Sequence, residues 1–237
     1  MSRIEDVTVP DGRFDLHVWT PETGSGPGLL LIQEIFGVGP YIKAVAERLA
    51  ADGYVVGAPD VFWRIQPGWE SDHSDDGLAA SMGVVQQFDP VKGAADSVAA
   101  LNRLAELPEV TGVPGVIGFC LGGTLAHLVG AEADPSVVVS YYGTGVAGTI
   151  DRFADISCPA LYQFGGNDPY LPRADVDAVV AAVADRPNVE VNVYDAGHAF
   201  DNHEAPRFYD AEPAAAAWAR TVAFLGEHLP AGQPAHE

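Results

Sequence analysis

Along most of this chain, short apolar segments rich in β-branched residues alternate with segments of helical periodicity. Buried parallel strands appear in a sequence as continuous apolar runs, and their alternation with helices is typical of a doubly wound parallel sheet. The pattern therefore predicts an α/β fold with helices on both faces of a mostly parallel sheet. The predicted strands are GLLLIQ (28–33), YVVGAPD (54–60), VPGVIG (113–118), VVVSYYG (137–143), PALYQFG (159–165) and VEVNVYD (189–195).

Helical patterns lie between these strands and after the last one. In the first of them, apolar residues recur at i, i+3, i+4 and i+7 between Pro40 and Asp52, and Gly53 follows as a stop signal. Before the first central strand, EDVTV and FDLHVWT flank Asp11-Gly12 and predict an antiparallel hairpin at the edge of the sheet. The other helices are expected at about 91–107, from residue 121 onward, at about 173–184 and over 212–229.

The length of 237 residues suits one domain of this class, so we expect residues 1–237 to form a single α/β domain with a frayed tail over 230–237. Only the segment 62–87 departs from the alternation, with WRIQPGWESDHSDDG followed by a weak helical pattern. Long excursions of this kind often serve as lids or binding loops. We expect that role here.

The chain is strongly acidic, with 33 acidic and 12 basic residues and a net charge of −21. This balance argues against nucleic acid or an anionic membrane as partner. It is consistent with a high-salt cytoplasm or with a GC-rich genome, and in either case a solvated acidic surface aids solubility. No apolar run approaches the roughly 20 residues of a membrane span, and the first residues lack the apolar core of a signal peptide. Two cysteines make no disulfide framework. We expect a cytoplasmic protein with reduced thiols, as a monomer or homodimer.

One of the two cysteines stands between glycines in GFCLGG, where a predicted strand meets a predicted helix. Gly118-Phe119-Cys120-Leu121-Gly122 has the form G-x-C-x-G, the cysteine version of the sharp turn that presents the nucleophile in α/β-hydrolases. Flanking glycines avoid collisions across that turn, and the N-terminus of the following helix favours a thiolate. The motif predicts a nucleophilic Cys120, and the alternative is a small buried cysteine in a tight turn.

A nucleophilic thiol needs a base and a group that orients the base, and in this fold both follow the nucleophile along the chain. Asp168 in GGND and His198 in GHAF each come directly after a predicted strand. We therefore expect Asp168 to orient His198 and His198 to activate Cys120. Asp60 also ends a strand, but it precedes the nucleophile. The other histidines, including His73 in the acidic loop, are expected to be surface or structurally satisfied residues.

A second carboxylate ends the apolar strand GLLLIQ, where Glu34 stands as the strand leaves the core. By position alone, Glu34 is either part of the site or a solvated glutamate at the start of a loop. The turn after this strand is also where α/β-hydrolases place one amide of the oxyanion hole. We therefore expect the backbone N–H groups of Ile35 and Leu121 to form an oxyanion hole.

The order of these motifs resembles the dienelactone hydrolase (carboxymethylenebutenolidase) family, cysteine-dependent enzymes with the α/β-hydrolase fold. The resemblance runs from GLLLIQEIFGVGPYIKAVAERLAADGYVVGAPD through GFCLGG, YYG, GGND and GHAF. It implies Cys120 as nucleophile, His198 as base, Asp168 as acid and Glu34 as the carboxylate that helps to generate the thiolate when substrate binds. In such enzymes the thiol attacks an enol-lactone carbonyl, the ring opens to an acyl-enzyme, and water releases a keto-acid.

Several positions depart from the family pattern in ways that affect substrate binding. Dienelactone hydrolases hold the substrate carboxylate with two arginines, and the matching positions here are Leu78 and Asn202, while a nearby tyrosine position is Met82. Arg64 does match a family position and is a candidate anion contact. Because arginine is the residue suited to bidentate carboxylate binding, the resemblance implies retained catalysis with changed specificity.

Four aromatic residues are candidates for an apolar pocket wall near Cys120, namely Phe36, Trp63, Trp69 and Phe200. Packing in the core or beneath a lid is the equal alternative for each. The predicted substrate-binding residues are Arg64, Phe36, Trp63, Phe200 and Asn202.

The sequence thus favours a cysteine hydrolase of a small lactone or activated ester. A broad carboxylesterase or thioesterase is the second interpretation, and a catalytically poor protein that binds a small ligand on the same fold is the third. The sequence contains no metal-ligand constellation, phosphate loop or dinucleotide fingerprint, so we expect no cofactor and no metal.

Overall fold

In the computed structural model, which describes residues 2–231, eight strands form one sheet in the order β1-β2-β4-β3-β5-β6-β7-β8. β1 and β2 form an antiparallel hairpin, and β2 pairs antiparallel with β4. All the remaining pairs are parallel. The strands are β1 Ser2–Val9, β2 Gly12–Trp19, β3 Gly26–Ile32, β4 Val55–Pro59, β5 Val110–Phe119, β6 Val138–Tyr141, β7 Ala160–Gly165 and β8 Val189–Tyr194.

Helices connect the parallel strands and cover both faces of the sheet. The helices are α1 Pro40–Ala51, α2 Asp75–Val85, α3 Pro90–Ala105, α4 Leu121–Glu132, α5 Arg173–Ala182 and α6 Ala211–His228, and a 3₁₀ segment spans Val146–Asp155. The predicted doubly wound sheet with its N-terminal hairpin is therefore confirmed. The 3₁₀ segment was not predicted, and the predicted fraying of the tail falls largely outside the described residues.

The core consists of two apolar layers separated by the sheet. In β3, Leu30 and Ile32 face the layer beneath α3, α4 and α5, while Leu29 and Leu31 face the layer beneath α1 and α6. All four side chains are fully buried. A strand that is buried on both faces needs apolar residues at every position, which explains why these strands lack polar alternation.

The excursion at 62–87 contains one regular element, α2. Ser74 caps its first turn, because the Ser74 hydroxyl oxygen accepts the backbone N–H of Gly77 at 3.0 Å. Asp75 and Asp76 follow in the first turn, where carboxylates favour the positive end of the helix dipole. The cap explains why a helix forms over a sequence with only weak apolar periodicity.

The loop after β3 and the excursion are joined by close backbone packing. The backbone N–H of Ser71 donates to the carbonyl of Phe36 at 3.1 Å, and the Trp69 indole N–H donates to the carbonyl of Ile35 at 3.2 Å. Gly37 has a φ of +85°, and a Cβ at this position would overlap the carbonyl oxygen of Trp69. Glycine therefore permits the contact that holds the excursion beside the end of β3.

Candidate active site

The side chains predicted to take part in catalysis lie at the carboxyl edge of the sheet. Glu34 follows β3, Cys120 follows β5, Asp168 follows β7 and His198 follows β8. Since β3, β5, β6, β7 and β8 are parallel, their carboxyl ends meet at one edge, which is where open α/β sheets place their ligands.

Cys120 occupies a strained turn between β5 and α4. Its backbone has φ 54° and ψ −114°, a conformation that non-glycine residues rarely adopt. A Cβ on Gly118 would overlap the carbonyl of Gly122, and a Cβ on Gly122 would overlap the carbonyl of Ile32. The glycines on both sides are thus required for the turn to close, and the turn lifts the thiol away from the sheet.

The three side chains predicted to act together form a hydrogen-bonded chain. His198 Nε2 lies 3.1 Å from Cys120 Sγ, and His198 Nδ1 lies 2.6 Å from Asp168 Oδ2. Asp168 Oδ1 accepts the backbone N–H of Tyr170 at 2.7 Å, which fixes the carboxylate. Asp168 and His198 are 5% and 8% exposed, so water competes little with these bonds.

The charges and hydrogen bonds around His198 favour a protonated imidazole ring. Burial by itself lowers the pKa of His198, but the charge of Cys120 and the hydrogen bonds with Asp168 and Cys120 outweigh burial and raise that pKa to about 10. A histidine with this pKa holds its proton when it faces a thiolate at neutral pH. The arrangement is therefore suited to a thiolate–imidazolium pair oriented by a carboxylate.

A buried network supports the ring of His198. The Tyr142 ring meets it edge to face with 5.2 Å between centroids, and the Tyr142 hydroxyl lies 3.3 Å from the Tyr41 hydroxyl. Tyr41 in turn donates to Asp201 Oδ2 at 2.8 Å. Burial raises the pKa of Asp201 to about 6. Packing of this kind restricts the orientation of the His198 ring.

Glu34 is only 3% exposed, so its carboxylate is largely shielded from water. Two side chains provide its hydrogen bonds instead. His73 Nε2 lies 2.7 Å from Glu34 Oε1, and Asn202 Nδ2 lies 3.1 Å from each carboxylate oxygen. The alternative of a solvated glutamate at a loop start therefore does not describe this residue.

These groups surround a cavity of about 320 Å³. Cys120, His198 and Glu34 lie on its wall beside apolar side chains from the loop after β3, from α2 and from the segment after β8. Ile35 and Leu121, the two residues predicted to supply oxyanion-hole amides, also line it. Leu121 is the first residue of α4, where backbone N–H groups have no partner within the helix. The lining residues are Glu34, Ile35, Phe36, His73, Leu78, Met82, Val85, Cys120, Leu121, Thr144, Tyr170, His198, Ala199, Asn202 and Phe208.

Three of the predicted substrate-binding residues lie elsewhere. Arg64 is paired with Asp11 and Asp96 and does not line the cavity that contains Cys120. Trp63 donates to Asp96 at 2.9 Å and stacks on a β2 side chain. Phe200 is fully buried in the layer beneath α1 and α6. The structure thus brings only Phe36 and Asn202 of the predicted substrate contacts to the cavity.

Other residues of the cavity were not predicted. Leu78, Met82 and Val85 lie at i, i+4 and i+7 of α2, so one face of the helix forms part of the wall. In the sequence, Leu78 and Met82 stand out only as departures from a family pattern. His73 was expected to be a surface or structurally satisfied histidine, and no local signal in the sequence connects it to Glu34.

Two other kinds of site are absent from the described part of the chain. Among residues 2–231, no group of three or more His, Cys, Asp or Glu side chains is arranged to hold a metal ion. None of the helices described is long and apolar enough to cross a membrane.

The sheet order and the site at its carboxyl edge define the α/β-hydrolase fold. The profile of the dienelactone hydrolase family matches residues 14–229, and the chain belongs to that family. It is a dienelactone-hydrolase-like hydrolase acting on ester bonds.

Two relatives and one solved structure illustrate the similarity. Carboxymethylenebutenolidase of Pseudomonas sp. (strain P51) is 35% identical over 222 residues, with 93% of each chain covered. A putative carboxymethylenebutenolidase of Azospirillum brasilense is 33% identical and covers 94% of this chain and 99% of its own. The crystal structure of a putative dienelactone hydrolase from Klebsiella pneumoniae superimposes with a TM-score of 0.81 at 24% identity, covering 96% of this chain and 98% of its own.

Proposed function

We propose that this enzyme hydrolyses small uncharged esters or lactones through an acyl-enzyme on Cys120. The observation that carries the proposal is the chain from Cys120 Sγ through His198 to Asp168, with distances of 3.1 and 2.6 Å, at the wall of an apolar cavity. A thiol, a base and an orienting carboxylate in this order are the parts that nucleophilic acyl transfer requires.

The reaction follows from these positions. The thiolate of Cys120 attacks the substrate carbonyl, and the resulting oxyanion faces the amides of Ile35 and Leu121. His198 then donates its proton to the leaving oxygen as the C–O bond breaks, which leaves a thioester on Cys120. In the second half, His198 takes a proton from water, the hydroxide attacks the thioester, and the C–S bond breaks to release the acid product and restore the thiolate beside protonated His198.

The charges of the cavity support an uncharged substrate. No lysine or arginine lines this cavity in the part of the chain that the structure describes, and Glu34 places a carboxylate on its wall. The positions where dienelactone hydrolases carry arginines hold Leu78 and Asn202, and both face the cavity. An anionic substrate would lose its hydration without gaining a cationic partner, which is unfavourable. Uncharged esters and lactones avoid that penalty.

The test compares initial rates of hydrolysis of p-nitrophenyl acetate, an uncharged lactone, an acyl thioester and dienelactone by the wild type and Cys120→Ala. We expect hydrolysis of the ester or lactone that Cys120→Ala abolishes, with a mass increase of one acyl group on the peptide containing Cys120 after rapid quenching. Equal rates for the two proteins would overturn the proposal. A rate on dienelactone above that on every uncharged substrate would overturn the assignment of substrate charge.

A further inference from the structure

His73 lies at the wall of the cavity, although it belongs to the polar loop that precedes α2. Its Nε2 is 2.7 Å from Glu34 Oε1, and its ring packs on Phe36 with 4.2 Å between the centroids. Only 9% of the His73 side chain and 3% of the Glu34 side chain are exposed. The contact therefore joins two buried polar groups that are 39 residues apart in the sequence.

The contacts of Asn202 indicate which groups donate hydrogen bonds among Glu34, His73 and Asn202. Its Oδ1 accepts the backbone N–H of Glu204 at 3.0 Å, so its amide nitrogen faces Glu34. That nitrogen lies 3.1 Å from each Glu34 oxygen and 2.9 Å from His73 Nε2. Because His73 Nε2 lies 2.7 Å from Glu34 Oε1, the tautomer with its proton on Nε2 suits this contact, and in that tautomer both nitrogens direct their N–H groups at the carboxylate. Glu34 is thus a carboxylate that accepts from His73 and Asn202.

The state of Glu34 matters because it shares the cavity wall with the thiol of Cys120. Two negative charges in one poorly solvated site disfavour each other. Without the N–H of His73, the buried carboxylate keeps one donor, Asn202, and it turns toward another donor. His198 is a donor on the same wall, and a bond from it to Glu34 would compete with its bond to the thiolate.

We propose that His73 is a positioning residue that clamps the Glu34 carboxylate to the wall of the cavity and so keeps His198 available to Cys120. The clamp also ties the loop before α2 to the end of β3. This role rests on the proposed function of Cys120, but it is tested through the thiol itself and not through turnover.

The experiment measures the second-order rate of alkylation of Cys120 by iodoacetamide, resolved by peptide mass spectrometry. Cys158, the other thiol, is 9% exposed, and burial raises its pKa to about 11, so it reacts slowly and is counted separately. Four proteins form a double-mutant cycle: the wild type, His73→Ala, Glu34→Gln and the double variant. Ester hydrolysis is recorded in parallel.

We expect His73→Ala to slow alkylation by about tenfold or more, which corresponds to an unmade hydrogen bond to a buried charge. In the Glu34→Gln background the same substitution should change the rate by less than about threefold, because a neutral amide needs no cationic or N–H clamp. His73→Gln, whose amide can still donate to Glu34, should recover most of the lost rate. An equal loss in both backgrounds, or a His73→Gln variant as slow as His73→Ala, would overturn the proposal.

Matched controls separate positioning from folding. His203→Ala removes a half-exposed histidine of the segment after β8 that does not line the cavity, and it should alkylate at the wild-type rate. Thermal unfolding is recorded for every variant, and where His73→Ala does not fold, His73→Leu replaces it because leucine retains contact with Phe36. If Cys120→Ala leaves hydrolysis unchanged while the cycle shows coupling, the proposed function fails and the clamp stands. If alkylation rates are additive while hydrolysis depends on Cys120, the clamp fails and the proposed function stands.

Discussion

At the scale of single residues, the hydrogen bonds that link Cys120, His198 and Asp168 depend most closely on side-chain geometry. Asp168 Oδ2 accepts from His198 Nδ1 at 2.6 Å, which holds the proton on Nδ1 and leaves Nε2 facing the thiol. Asp168→Asn would offer an amide N–H at that point and favour the wrong tautomer. We expect the turnover of esters to fall on the order of 10³- to 10⁴-fold with little change in the unfolding temperature.

The control for that substitution is Asp177→Asn, which alters an exposed carboxylate of α5 paired with Arg173. It should retain the wild-type turnover. Loss of activity in both variants, or retained activity in Asp168→Asn, would contradict the assigned role of Asp168.

Asp201 supports a prediction about stability. Burial raises its pKa from 3.8 to about 6, so the folded protein binds this proton over a pH range in which the unfolded chain has lost it. Its contribution to the free energy of unfolding is therefore largest below about pH 4 and declines as pH rises through about 6. Asp201→Asn removes this penalty and should raise stability above pH 6 by up to about 3 kcal/mol relative to wild type.

Chemical denaturation at pH 4.0 and 8.0 tests the direction of this pH dependence. The two pH values bracket the range of about 4 to 6 that lies between the pKa of Asp201 in the unfolded and in the folded protein. The difference in stability between Asp201→Asn and the wild type should be larger at the higher pH. Asp185→Asn, which changes an exposed aspartate, should show no such difference between the two conditions. A larger gain at the lower pH would contradict the argument.

The site residues that the sequence predicted are those with local motifs. Cys120, Asp168 and His198 each follow a strand in a short recognisable turn, and the structure brings all three together. The partners of His73 and Arg64 were not predicted for one reason, which is that they are distant in the sequence. His73 meets Glu34 at the end of β3, and Arg64 meets acidic residues of the β1–β2 turn and α3.

At the scale of elements, α2 supplies part of the cavity wall that a bound substrate would contact. Leu78, Met82 and Val85 present one apolar face of this helix to the cavity, while Ala79 and Ala80 are exposed on the outside. Leu78→Arg would place a guanidinium on the cavity wall. We expect it to raise kcat/KM for an ester bearing a carboxylate, relative to its uncharged analogue, by roughly tenfold or more.

Ala79→Arg is the matched control, because it adds the same charge to the outer face of the helix. Its ratio of rates for the charged and uncharged esters should equal that of the wild type. A change of the same size in both variants would show that net charge, and not the wall of the cavity, governs the preference.

Elements were predictable where the apolar period was strong. The central strands and α1 follow their patterns closely, because burial on both faces of the sheet selects apolar residues at nearly every position. α2 had only a weak pattern, since its start depends on the Ser74 cap and its inner face lines a cavity rather than the core. The 3₁₀ segment at Val146–Asp155 includes non-helical backbone at Thr149, and no simple period describes it.

At the scale of the whole molecule, topology was predictable and pairing of charges was not. The chain order of strands and helices leaves few right-handed arrangements, and the observed sheet is one of them. Ion pairs depend on which loops meet, and most of the basic residues are paired with carboxylates. These are Arg3, Arg13, Lys43, Arg64, Arg103, Arg152, Arg173, Arg207 and Arg220.

The net charge of −21 supports a last prediction, about salt. With 33 carboxylates and 12 basic residues, pairing leaves many carboxylates without a cation, and their repulsion favours the expanded chain. Raising the salt from about 0.01 M to 1 M shortens the screening length from about 30 Å to 3 Å, so the repulsion fades faster than the short ion pairs weaken. We expect the unfolding temperature to rise with NaCl, in the single cooperative transition that the prediction of one domain implies.

Sucrose at matched osmolality is the control for excluded-volume effects of the added solute. Because the proposed substrate is uncharged, the kcat/KM for its hydrolysis should change little over the same range of NaCl. A fall in unfolding temperature with NaCl would show that ion pairs, and not the excess of carboxylates, dominate the electrostatics of this protein.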